Sequence, residues 1–427
     1  MRRTFASLTI LAVVCWASMG SAQTAIKGAT VHPIDGQKID EGVVVIDANG
    51  EIEAVGDSST EIPADAEIVD AEGKVVTPGL IDARTHLGVV EIWATDRTRD
   101  HNRGGKSPIR AAFRAADGFN PTSVALPVTR TGGVTSALVV PGGGVVAGQS
   151  AWIDLGDSEI GYGSVVSEST AMHLDYGARH GKKGLASRGA VLEKLRELYD
   201  DVVFYDGNTE AYDSNQAREL TASRLDLRAL GRTLEEGLPV AINAHRASDI
   251  RQMLEFADEH ELDPVITGGV ESWMIAEELA DREVPVVVNP VMNLPTHFST
   301  LGARTDTAAI LAESGVPVII STFGTHNVRK LRQLAGNAVR AGLSHQAALR
   351  AVTLNPARAF GMADKYGSLA AGKLANIVVW SGDPFELSTR VDRMYVHGEE
   401  VSLQSRQSEL FERYRTLERR GEPASER

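Results

Sequence analysis

A TIM-like (β/α)8 barrel carrying a composite small β-domain built from both chain ends is the α/β fold class that three observations predict. Apolar, β-branched runs alternate with helical segments across residues 79–366, the pattern of repeated βα units. Short β-rich runs separated by turn residues flank that region, at 23–78 and 367–402. The 427 residues suffice for a barrel of roughly 250 residues and a second layer. A doubly wound open sheet is the alternative this alternation leaves open.

In chain order, residues 1–22 read as a secretory signal. Arg2 and Arg3 precede a short apolar run at 8–17 and the small residues Gly20, Ser21 and Ala22. The expectation is an exported protein, periplasmic or extracellular, with no membrane span, since no run of roughly 18 apolar residues occurs. The single cysteine, Cys15, lies inside this leader, which leaves no disulfide and no thiol nucleophile after cleavage. Without Arg2 and Arg3 the chain keeps 41 basic against 57 acidic residues, a net charge of −16. Nucleic-acid binding needs concentrated positive charge and is not expected.

Residues 23–78 hold runs at 25–31, 42–46, 52–55 and 67–69, with Asp47-Ala48-Asn49-Gly50 as a hairpin turn. The same texture returns at 375–380 and 391–401, so 23–78 and 367–402 are expected to form one β-sandwich. Within 79–366 the candidate barrel strands are 80–86, 134–140, 202–205, 239–245, 264–268, 285–289 and 317–321, with one more strand between about 151 and 166. Residues 96–127, with His101, Arg103, Arg110, Arg114 and Asp117, read as a long loop with a short helix, either solvated surface or a recognition loop. Residues 403–427 read as a terminal helix packing Leu410, Tyr414 and Leu417 on the body, then a tail.

The chemistry concentrates at Val76-Thr-Pro-Gly-Leu-Ile-Asp-Ala-Arg-Thr-His-Leu-Gly88, an apolar strand ending in polar side chains. Strand alternation puts Arg84 and His86 on one face, with Asp82 two residues earlier, at the end of a barrel strand where such folds keep their reactive groups. This stretch resembles the first-strand signature of the amidohydrolase superfamily, Pro-Gly-Leu-Ile-Asp-x-His-x-His, especially imidazolonepropionase-like members. The closing stretches resemble the same family: Asn327-Val-Arg-Lys-Leu-Arg332, the run from Ala347 to Ala357, Tyr366-Gly-Ser-Leu369 and Gly372-Lys-Leu-Ala-Asn-Ile-Val-Val379. The resemblance spans about residues 24–401.

The resemblance implies a hydrolase of carbon–nitrogen bonds that uses a divalent ion, zinc foremost, held by histidines at the strand ends. His86 and His245 match ligand positions, and His326 at the eighth-strand end is the candidate third ligand a catalytic zinc requires. The chain departs from the pattern at several points. The first signature histidine is Arg84, Val265-Ile-Thr-Gly-Gly269 has no histidine, and Ile320-Ser-Thr-Phe-Gly-Thr-His-Asn327 lacks the catalytic aspartate. A permanent cation repels a divalent ion and fits a carboxylate or phosphate, so Arg84 reads as an anion-binding residue, or else pairs with an acid such as Glu91.

The glycine run Pro141-Gly-Gly-Gly-Val-Val-Ala-Gly-Gln149 lacks Gly-Lys-Ser/Thr and a dinucleotide-type acid. It reads as a tight loop after the second barrel strand, with no nucleotide cofactor expected. His173, His180, His297 and His397 read as structural. The functional readings are a metal-dependent amide hydrolase with an incomplete ligand set and, alternatively, a non-catalytic relative. The latter would bind a small anion through Arg84 or partner a complete homologue as a homo- or hetero-oligomer.

Overall fold

The computed structural model describes residues 23–102, 104–105, 107–177, 185, 187–292 and 294–415. The leader with Cys15, and Arg103, His180, Leu417 and the tail from 416, lie outside the described residues. The N-terminal strands are β1 (Thr24–Val31), β2 (Ile39–Ile46), β3 (Ile52–Gly56), β4 (Glu67–Asp70) and β5 (Val75–Pro78). The hairpin between β2 and β3 turns at Asp47, whose Oδ1 accepts from the amides of Asn49 (2.9 Å) and Glu51 (2.8 Å), with Gly50 at φ +79°. An aspartate that caps its own turn leaves the left-handed position to glycine, as the Asn-Gly pair predicts.

The barrel is a mixed α/β structure of eight strands: β6 (Leu80–Thr85), β7 (Val134–Val139), β8 (Val146–Asp154), β9 (Ser164–Asp175), β10 (Val240–Ala244), β11 (Pro264–Gly268), β12 (Val286–Val288) and β13 (Val318–Ile320). They pair in sequence order from β6 to β13. The predicted fold class is therefore observed, with one departure: β8 runs antiparallel to both neighbours. A β7–β8–β9 meander takes the place of one βα unit, so two strands lie between 146 and 175.

The segment 202–205 is a helix and not a strand, being the end of Arg188–Gly207. Val191, Leu192, Leu195, Leu198, Tyr199, Val202 and Tyr205 are all buried at helical spacing, so the four-residue apolar run belongs to a longer 3.6-residue period. The real strand β8 carries Gly148, Gln149 and Ser150 in its middle, which hid it, although the whole strand is buried.

Remaining strands are β14 (Ile377–Trp380), β15 (Val391–Val396) and β16 (Glu399–Glu400). With β1–β5 they form one sheet of order β16-β15-β14-β5-β1-β2-β3, β4 pairing with β1. The expected sandwich is thus one continuous sheet with apolar residues on both faces, Ile26, Val44 and Ile52 on one and Ala25, Val43 and Val45 on the other. The terminal helix, Arg406–Tyr414, starts at a Ser405–Ser408 capping box and has no buried residue. The expected packing of Leu410 and Tyr414 is not observed; Tyr414 is 67% exposed. Among the described residues no helix is long and apolar enough to cross a membrane.

A polar cluster ties the terminal sheet to the barrel floor. Asp154 at the end of β8 accepts from Ser136 (2.6 Å), Tyr366 (2.8 Å) and His397 Nε2 (2.5 Å). That bond to Asp154 holds the His397 pKa above the ordinary 6.5 against the opposing effect of burial. A raised histidine contributes stability that is complete below about 6.5 and is lost as pH rises through the folded-state value. His397 sits at φ +52°, which asparagine tolerates. His397→Asn is therefore expected to flatten the fall in melting temperature between mildly acidic and alkaline buffer. Parallel slopes for the two proteins would refute this.

Candidate functional site

The two ends of the barrel seam, β6 and β13, are joined by side chains and loop backbone. Thr85 Oγ1 donates to the Gly324 carbonyl (2.6 Å), and the His86 amide donates to the same oxygen (3.1 Å). Below them the buried Asp82 accepts from the hydroxyls of Ser321 and Thr322 and from the Arg84 amide (3.3 Å). Asp82 is thus a brace under the mouth, and it holds the backbone that presents Arg84 and His86.

Arg84 lies deep in the mouth, with its guanidinium 4.5 Å from the centre of the Phe323 ring. Phe323 adopts φ +52°, a conformation uncommon for a bulky residue and frequent at functional sites. The expected Arg84–Glu91 pair does not form; Glu91 instead accepts from Asn120 (2.9 Å) and Ser123 (3.0 Å). Burial pulls the Arg84 pKa down while the nearby Asp175 carboxylate pulls it up. Arginine starts so high that it stays charged.

His86 Nδ1 donates to the Val140 carbonyl at 2.9 Å, which leaves Nε2 as the free acceptor of a neutral ring. Burial foremost, then His101 and Arg84, lower its pKa to about 4, with the Val140 bond opposing. Its ring packs 4.7 Å from His101 and 5.6 Å from Trp93, centre to centre. The 96–127 loop therefore brings His101 beside His86, while Arg114 pairs outside with Asp117 and Glu168.

Sequence reasoning missed His173, Asp175 and Asn243. His173 and Asp175 alternate on the inner face of β9, and Asp175 is in register with Asn243 on β10. Asn243 Nδ2 donates to Asp175 Oδ1 at 3.0 Å. Burial, followed by the charge of Arg84 and by His86, lowers the His173 pKa to about 3, and burial and Arg84 lower that of His245. All three imidazoles are neutral at pH 7. The missed signal was the His-x-Asp spacing at the end of β9, the same i, i+2 geometry that flagged Arg84 and His86. Among the described residues, His101 Nδ1, His173 Nε2, Asn243 Oδ1 and His245 Nδ1 are buried without a hydrogen-bond partner, which leaves them free to bond a ligand or water.

Beside His245 and Phe323 a narrow cleft is lined also by Asn289, Thr305 and Arg304. Arg304 is committed elsewhere, to Asp306 and, at 4.6 Å, to the Trp273 ring. Phe323 lines this cleft and also carries the Arg84 guanidinium on its ring.

Residues 207–401 match the amidohydrolase family model. The crystal structure of an amidohydrolase from Thermotoga maritima superposes with a TM-score of 0.79 at 30% identity, covering 89% of this chain and 99% of that one. This chain belongs to the amidohydrolase family. Imidazolonepropionase from Thermoplasma volcanium is 24% identical over 86% of this chain and 91% of its own length, in keeping with an imidazolonepropionase-like member. Amidohydrolase tasK of Hapsidospora irregularis is 24% identical over 80% of this chain, which spans 38% of that longer protein.

Amidohydrolases generally use a divalent metal such as zinc or iron. The residues here do not fit one. Among the described residues no three His, Cys, Asp or Glu side chains are grouped to hold a metal ion. His326 is exposed, and among the described residues only its carbonyl is engaged, by Arg329. The proposed set of His86, His245 and His326 is therefore not brought together. At the position on β11 that lacks a histidine, a Cβ on Gly268 would meet His245 Cε1 at 2.5 Å, so the His245 ring already fills that space. Arg84 adds a fixed positive charge.

Proposed function

We propose that this amidohydrolase is a hydrolase of carbon–nitrogen bonds in small cyclic amides or peptide-like molecules, whose substrate is anchored by an anionic group on Arg84. One observation carries this reading: a guanidinium occupies the mouth position of the first signature histidine, without a carboxylate partner within ion-pair distance among the described residues. Arginine binds carboxylate or phosphate with two parallel hydrogen bonds and needs no deprotonation to do so. Neutral His86, with Nδ1–H held by Val140, offers Nε2 as a hydrogen-bond acceptor beside that anchor. Its lowered pKa makes it a weak base, so it orients more than it deprotonates. The apolar run behind Arg2 and Arg3 supports an exported setting for this activity.

A second reading, binding without turnover, draws on the donor set that does not fit a metal. Arg84→Ala is expected to abolish the thermal stabilisation that succinate or inorganic phosphate gives the wild type, on the order of a tenfold or greater loss in affinity. Unchanged shifts would end the anchor assignment. Hydrolysis assays on cyclic amides and N-acyl amino acids, with metal content measured in the same samples, separate the two readings. Turnover abolished by Arg84→Ala supports the hydrolase, and anion binding without turnover at any metal loading supports the binder.

A further inference from the structure

Asp175 shares the mouth with Arg84, and among the described residues neither is ion-paired with another protein group. Among the described residues, no carboxylate lies within 4 Å of the Arg84 guanidinium, and no lysine or arginine lies that close to Asp175. Arg84 lies near the end of β6 and Asp175 closes β9, so both face the same mouth, and each charge is costly to keep desolvated without a partner. Asn243 tethers Asp175 Oδ1 at 3.0 Å from the neighbouring strand, no described residue bonds Oδ2, and the Phe323 ring lies 4.5 Å from the guanidinium.

The other ionisable groups facing the pair bring no compensating charge. His86, His173 and His245 are neutral. Asp82 is tied to Ser321 and Thr322 beneath the mouth, and Asp249, behind His245, is paired with Arg188 at 2.7 Å. The inner mouth thus presents one cation and one anion. A simple anion would satisfy Arg84 and be repelled by Asp175, and a dianion would be repelled more.

We infer that the ligand of this site is a zwitterion, an amino acid or short peptide that places a carboxylate on Arg84 and an ammonium group on Asp175. The inference rests on the anion-anchor reading of Arg84 and narrows it to net-neutral molecules carrying both charges. Such a ligand pairs with both charges at once, with the buried acceptor Asn243 Oδ1 available to its remaining N–H groups.

The test is a calorimetric and thermal-shift series on the full mature protein with glycine, β-alanine, 4-aminobutyrate, succinate and butylamine. At least one aminocarboxylate should bind more tightly than both succinate and butylamine, and the best chain length reports the Arg84–Asp175 gap. Asp175→Asn should weaken that ligand by about tenfold or more and leave succinate equal or tighter. Arg84→Gln should weaken both. Asp175→Glu, which advances the carboxylate by one methylene, should shift the optimum to a shorter ligand and keeps the test decisive if Asp175→Asn fails to fold. Succinate binding better than every aminocarboxylate, with Asp175→Asn without effect, would overturn the zwitterion while leaving the anion anchor intact. Shifts insensitive to Arg84→Gln would overturn both.

Discussion

Replacing Asp82 by alanine is expected to lower unfolding stability by about 3–5 kcal/mol, measured by urea denaturation. The carboxylate is fully buried and accepts from Ser321 Oγ, Thr322 Oγ1 and the amides of Arg84 and Thr322. Alanine would leave those donors unsatisfied and open a cavity at the seam between β6 and β13, where no backbone ladder compensates. The loss should come with failure of anion binding, since the same bonds position Arg84. A fall below about 1 kcal/mol would show that the seam closes without Asp82.

The same residue predicts a pH dependence. Burial raises the Asp82 pKa from 3.8 to about 6, against its hydrogen bonds, which act to lower it. A carboxyl raised on folding contributes stability that is present below about 3.8 and declines as pH rises through about 6. The decline amounts to about 3 kcal/mol at most. Asp82→Asn keeps the shape and abolishes the titration, so the difference in stability between mutant and wild type should change across that window and be level above it. A constant difference from pH 4 to 7 would contradict the assignment.

Trp380→Ala is expected to cost about 3–5 kcal/mol in the same measurement. Trp380 is completely buried on β14, with Nε1 donating to Thr77 Oγ1 at 2.9 Å. Its ring lies against Gly133, where β7 enters the barrel, so it joins the terminal sheet to the barrel floor. A Cβ on Gly133 would meet that ring at 2.0 Å, and Gly133 adopts φ +77°, which disfavours a side chain independently. Gly133→Ala should therefore reproduce much of the loss from the opposite partner. If the tryptophan variant unfolded as stably as the wild type, the joint would not be a packing anchor.

Much of the fold was legible because hydrophobic spacing is local. The runs at 264–268, 285–289 and 317–321 became β11, β12 and β13, and Asp47-Ala48-Asn49-Gly50 became the β2–β3 turn. The reading failed where local signals conflicted with tertiary demands. Val202 and Tyr205 looked like a strand only when cut from the helical period that begins at Val191. In β8 the residues Gly148, Gln149 and Ser150 are buried because neighbouring strands and loops cover them, and Gln149 Nε2 finds the Ala111 carbonyl at 2.9 Å. No property of that segment alone announces those partners.

The sequence by itself determined the family frame, the β-rich ends and the replacement of a signature histidine by Arg84, since strand alternation and residue identity are local facts. Only the tertiary structure decided what surrounds that arginine. It brought Asp175 and His173 in from β9, Asn243 from β10 and His245 from just beyond its end, and Phe323 from the seam, and it left His326 in solvent. The physical reason is that a charge takes its meaning from its neighbours across strands. Barrel curvature, which sets those neighbours, arises from the packing of all eight strands together.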